Sequence, residues 1–115
     1  MARIEILKSL VLEIKRKFNS KEANNVIDLM QSLESHPKKG KALGTVGGMV
    51  IKEIRYRSFR LYFIADGYKL KFFSENELTD LLLRFVRMSD KKHQQDTINE
   101  IKSILLQMGP KGLNN

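Results

Sequence analysis

Two neighbouring segments hold the residues whose types and spacing could do chemistry: Ile51-Lys52-Glu53-Ile54-Arg55 and Phe59-Arg60-Leu61-Tyr62-Phe63. Both alternate apolar with polar side chains, the period of a half-buried strand. A turn at Arg57-Ser58 pairs Tyr56 with Phe59, Arg55 with Arg60, Ile54 with Leu61, Glu53 with Tyr62 and Ile51 with Ile64. Side chains alternate between faces, so Glu53, Arg55, Arg60 and Tyr62 share one surface. Ile54, Tyr56, Phe59, Leu61 and Phe63 share the other. An acid, two guanidiniums and a phenol together suit phosphodiester chemistry. Glu53 stands where a base is needed, and Arg55 and Arg60 can fork onto phosphate oxygens. Tyr62 or His93 is the candidate acid. Arginines directly opposite one another repel, which makes sense where an anion visits. The bland reading is a solvated charge network with Glu53 as the partner of Arg55. Lys52 falls on the apolar side and must snorkel or lie at an edge.

The elements that must position these residues follow from the remaining periodicities. Residues 2–7 alternate as a short strand, and from Leu7 the stripe becomes helical through Leu10, Val11, Ile14 and Phe18. Asn19 or Ser20 caps a second helix, with Glu22 placed to answer it and a stripe of Ala23, Val26, Ile27, Met30 and Leu33. The spacing predicts helices over roughly 8–18 and 20–35, ending before Pro37. Residues 36–48 read as a basic, glycine-containing connection, in which Lys38, Lys39 and Lys41 could touch phosphates. It lacks the Gly-Lys-Ser/Thr ending of a phosphate-binding loop. Strands are expected at 49–57 and 59–65, then a hairpin turn at Asp66-Gly67 and a strand from Tyr68 to Phe73. That turn sets Lys71 beside Tyr62 and Phe73 beside Arg60, giving two rows, Glu53–Tyr62–Lys71 and Arg55–Arg60–Phe73. A further strand spans Leu81–Met88. Ser89 or Asp90 caps a last helix striped by Ile98, Ile101, Leu105 and Met108, and Gly109-Pro110 stops it. The expected organisation is one domain over 1–108 with a flexible tail over 109–115.

The chain has 115 residues, no cysteine, and 21 lysines and arginines against 13 acids, a formal charge of +8. A basic balance of this size favours a polyanionic partner. The missing cysteines exclude a disulfide framework and a cysteine zinc site, and fit a reducing cytoplasm. No apolar run reaches the length of a membrane span and no signal peptide is evident. No His, Asp and Glu cluster has ligand spacing, so neither a metal nor another cofactor is expected.

Glu53-Ile54-Arg55, Arg60-Leu61-Tyr62-Phe63, and Phe85-Val86-Arg87 with Lys91-Lys92 ahead of the last helix, in that order, resemble the RelE/ParE toxin superfamily of toxin–antitoxin modules. The resemblance covers most of residues 2–106. It implies an α+β fold, a small antiparallel sheet with the two N-terminal helices and the C-terminal helix packed on one face. RelE-like members are ribosome-dependent endonucleases that cut mRNA, whereas ParE-like members inhibit DNA gyrase, and both are neutralised by an antitoxin protein. By this resemblance the expected activity is metal-independent mRNA cleavage in the cytoplasm that inhibits translation, with ribosome, mRNA and a cognate antitoxin as partners. The alternatives are gyrase inhibition and a non-catalytic RNA-binding domain. Glu53, Arg55, Arg60 and Tyr62 are the candidate catalytic residues. Lys71, Arg84, Arg87, Lys91 and Lys92 are the candidate RNA-phosphate contacts. Two features depart from the family pattern: the segment Tyr68–Asp80 is long, and the C-terminal tyrosine or histidine of many nuclease members is absent.

Overall fold

The computed structural model describes residues 1–114. It is an α+β protein built on a five-stranded sheet. The strands are β1 (Arg3–Ile6), β2 (Lys41–Val46), β3 (Met49–Tyr56), β4 (Phe59–Asp66) and β5 (Leu82–Asp90), in spatial order β1-β5-β4-β3-β2. The sheet is mixed, not purely antiparallel, because β1 runs parallel to β5 with Ile4 beside Leu83 and Ile6 beside Phe85. A strand from one end of the chain inserted beside one from the other needs no hairpin, so nothing forces it antiparallel.

Helices α1 (Lys8–Lys17) and α2 (Ser20–Gln31) cover one face of the sheet. Leu7, Leu10 and Ile14 from the first stripe, and Ala23, Val26, Met30 and Leu33 from the second, enter the core as their spacing predicts. Phe18 closes this layer edge-on against Tyr56 and Phe59, with ring centroids 5.6 and 5.1 Å away. The Asn19 side chain accepts the Glu22 backbone N–H at 2.8 Å, satisfying one of the donors that a helix start leaves open. Replacing Asn19 by alanine is expected to lower stability by about 1 kcal/mol in a urea titration.

Helix α4 (Gln94–Met108) lies on the opposite face, so the helices sandwich the sheet rather than sharing one side. It touches both β5 and β2: Arg87 of β5 pairs with its Glu100, and Gly44 of β2 lies under its Lys102. Ile98, Ile101 and Leu105 are buried beneath it, but Met108, expected in that stripe, is exposed. Burial on both faces explains why every residue from Leu61 to Ala65 of β4 is out of solvent. Residues 109–113, expected as a loose tail, form a 3-10 turn that buries Leu113 and tucks Gly112 against Ile104 and Met108. Asn115 lies outside the described residues.

Two local expectations give way to others. The connection 36–48 contains a strand: Gly47 and Gly48, with φ of 56° and 82°, make the tight turn that folds β2 back on β3. Both central residues at positive φ is the hairpin geometry that glycine supplies without steric cost. Asp66-Gly67, in contrast, is no hairpin turn. The Asp66 carboxylate accepts the Lys69 backbone N–H at 3.0 Å and starts a short helix, α3 (Gly67–Phe72). Gly67 instead donates its N–H to the Gly48 carbonyl, completing the β3–β4 end. The expected strand over 68–73 is therefore helical, and β5 takes its place beside β4.

Candidate functional site

The β3–β4 register is the expected one: Tyr56 opposite Phe59, Arg55 opposite Arg60, Ile54 opposite Leu61, Glu53 opposite Tyr62. Arg57, at φ 55°, makes the turn. The third column of the site comes from β5. Arg87 stands beside Tyr62 where Lys71 was expected, and Ser89 stands beside Arg60 where Phe73 was expected. A bulge at Val86 produces this alignment, since the pairing shifts between Tyr62–Arg87 and Phe63–Phe85. Lys71 lies in α3, in the pocket that Val50 and Lys52 line on the other side of the sheet from Glu53.

Glu53, Arg60 and Tyr62 come together, but not on an open surface. Glu53 is 2% exposed, Arg60 6% and Tyr62 0%. Arg60 Nε lies 3.7 Å from Glu53 Oε2, an ion pair without a hydrogen bond, and neither Glu53 oxygen nor Arg60 Nε has a hydrogen-bond partner. The remaining Arg60 contact is Nη1 donating to the Ser58 carbonyl at 3.1 Å. Tyr62 and Ser89 hydroxyls lie 2.7 Å apart, and Ser89 donates to the Asp90 carbonyl at 2.9 Å, which leaves Tyr62 as the donor to Ser89. Burial, reinforced by the nearby Glu53 charge, raises the Tyr62 phenol above its ordinary 10.0. A buried, hydrogen-bonded phenol is a poor proton donor to an outside substrate. Glu53 likewise has neither carboxylate oxygen open to solvent.

Arg55 is different. It is exposed on the same face, at the end where β2 no longer pairs with β3, since β2 begins at Lys41 opposite Glu53. There a cleft of about 320 Å³ is lined by Lys39, Lys41, Glu53 and Arg55, with Leu29 and Ile54 as its apolar wall. Lys39, Lys41 and Arg55 have no acidic partner among the described residues. Lys41 opposite Glu53 was missed in the sequence: a turn at Gly47-Gly48 alone sets Ala42 there, and the bulge between Ala42 and Gly44 moves Lys41 into its place.

The same end of the sheet carries other cations. Lys91 and Lys92 follow the end of β5 and are exposed. Lys17 sits 5.5 Å over the Phe59 ring, and Arg57 pairs with Glu22 at 2.8 Å. Arg84 and Arg87 are occupied instead: Arg84 by Glu5 at 2.7 Å and the Pro110 carbonyl, Arg87 by Glu100 and the Val86 carbonyl. His93 is tied to Asp90, whose Oδ1 accepts its backbone N–H and meets its Nδ1, each at 2.8 Å. These contacts hold the Asp90 carboxyl below its ordinary value, and they tie His93 to Asp90 rather than to Glu53 or Arg60. Lys52 neither snorkels to water nor lies at an edge: it is buried in an interior strand, its Nζ donates to the Lys38 carbonyl at 2.8 Å, and burial lowers its pKa.

Among the described residues no three His, Cys, Asp or Glu side chains gather as a metal site, and no helix is long and apolar enough to cross a membrane. Comparison with family models, curated protein sequences and solved structures finds no match to this chain.

Proposed function

We propose that the protein binds RNA through the cationic end of its sheet and acts as a RelE-like toxin on ribosome-bound mRNA in the cytoplasm, held in check by an antitoxin protein. The observation that carries this reading is the cleft where Lys39, Lys41 and Arg55 converge without acidic partners. Unpaired cations around one cleft, in a chain of charge +8, form the footprint that phosphate oxygens fill. Lys91 and Lys92 extend the footprint along the same end. The order of motifs that resembles the RelE/ParE superfamily supplies the target. Binding is the first step and cleavage the second: Glu53 and Arg60 become the base and the phosphate clamp when α4 uncovers them.

Arg55→Ala is expected to abolish growth arrest on induced expression while leaving the circular dichroism spectrum unchanged. It should also reduce the salt dependence of RNA binding by about one unit of log K per log salt, the signature of one lost phosphate contact. Mapping of mRNA ends on programmed ribosomes tests cleavage directly. New ends with wild type and none with Arg55→Ala support the nuclease reading; a toxic Arg55→Ala variant sinks the site.

The closed state of Glu53 and Tyr62 favours a second reading, a ParE-like inhibitor that acts by binding alone. A purified gyrase supercoiling assay separates the two, because a nuclease leaves supercoiling untouched.

A further inference from the structure

At the end of the sheet away from Arg55, the long segment after β4 builds a second pocket. Helix α3 buries none of its own residues. It instead walls a pocket of about 420 Å³ together with Val50 and Lys52 of β3 and Thr45 of β2, contributing Tyr68, Leu70 and Lys71. Tyr68 is 65% exposed, and its ring lies 4.8 Å from that of Phe72, which is also exposed. Lys71 Nζ stands 5.4 Å over the Phe72 ring. The pocket lining includes two lysines and no acid; Lys52 is buried with its Nζ on the Lys38 carbonyl, so the exposed Lys71 carries the accessible charge.

Two independent features narrow the occupant. An exposed lysine with no acid in the lining selects an anion. Two aromatic rings left in water beside it, tilted 46° to one another, select a ligand with a flat face of its own, since an exposed ring gains most by stacking. A single-stranded nucleic acid joins both, with its bases on the rings and a phosphate on the ammonium group. An acidic peptide would use the lysine and leave the rings idle.

We infer that the α3 pocket is a second RNA contact, in which a base of a single-stranded segment stacks on Tyr68 while the exposed Lys71 holds its flanking phosphate. The inference rests on RNA being the partner and adds a place where the strand is gripped away from the Arg55 cleft. No base identity is read there, because stacking accepts any base.

The test is fluorescence anisotropy of a short labelled oligouridylate titrated with wild type, Tyr68→Ala, Tyr68→Phe, Lys71→Ala and Arg55→Ala. Tyr68 and Lys71 are both exposed, so their substitution leaves the core intact. Tyr68→Ala is expected to weaken binding about tenfold, the scale of one lost base–aromatic stack. Tyr68→Phe should bind like wild type, and Lys71→Ala should weaken binding and flatten its salt dependence. Binding by Tyr68→Ala equal to wild type overturns the inference while a loss in Arg55→Ala keeps the RNA reading. Displacement of the RNA from wild type by oligoglutamate as readily as by unlabelled RNA, with the same displacement curve in Tyr68→Ala, also overturns it and makes the pocket a peptide site. No binding of RNA by wild type overturns the inference and the RNA reading together.

Discussion

Arg60→Leu is expected to destabilise the protein by about 3–5 kcal/mol, the cost of leaving one member of a buried ion pair alone. Glu53 and Arg60 are both nearly out of solvent, and the 3.7 Å between them is too long for a hydrogen bond. Neither carboxylate oxygen has another partner to fall back on. With Arg60 gone, the Glu53 charge must be buried unpaired, be protonated, or pull the α4 layer open to water. A urea titration reads the loss as a lower midpoint at unchanged slope. The double variant Glu53→Leu/Arg60→Leu should recover most of it, because two apolar side chains remove both desolvation costs at once. A single variant as stable as wild type would show that the two charges do not depend on one another. The pair thus has little to recommend it as a source of stability. If the proposed growth arrest is found for wild type and lost in a stable double variant, the value of the pair lies in function, in line with active sites that are held at the expense of stability.

How much of this was legible in the sequence varies with the physical signal behind each element. The β3–β4 register was readable residue by residue, because the period of two assigns the faces and the two-residue turn at Arg57-Ser58 fixes which residues stand opposite one another. The helical stripes of α1 and α2 were readable for the same reason at the other period. Asp66-Gly67 misled because aspartate before glycine serves two ends equally well: a hairpin turn, or a helix cap whose carboxylate takes a backbone N–H. β2 was hidden by its own composition, since Lys41-Ala42-Leu43-Gly44 offers little strand propensity and carries a bulge between Ala42 and Gly44. Two of the three columns of the candidate site were therefore correct, and the third was assigned to the wrong strand. The largest gap concerned α4. An amphipathic stripe says that Ile98, Ile101 and Leu105 are buried, but not against which face, so a site expected on an open sheet lies beneath a helix.

That cover leads to the second large effect. Ile101 is fully buried on the sheet-facing side of α4, so Ile101→Ala is expected to cost about 2–5 kcal/mol, the transfer term plus the cavity it leaves. The loss should be concentrated locally, because α4 spans the sheet from β5 to β2 and is joined to the rest by its exposed connection at Lys91-Lys92-His93 and by the turn after Met108. Amide exchange should accelerate first in α4, ahead of global unfolding. Tyr62 supplies an independent reading. Its phenol is held above 10.0 chiefly by burial, so it favours the protonated form in the folded state. That contribution is complete below the unfolded value and is lost as pH rises through the folded one. Loosening α4 admits water to the phenol and should move its ionisation back down toward 10.0, measurable as the ultraviolet difference between Ile101→Ala and the same variant carrying Tyr62→Phe. If exchange in α4 and the Tyr62 ionisation both stay as in wild type, α4 is not what shields the Glu53–Arg60 pair. If both move together, α4 is the layer that shields the Glu53–Arg60 pair, and the exposed cations around Arg55 become the part of the site that the proposed RNA partner reaches first.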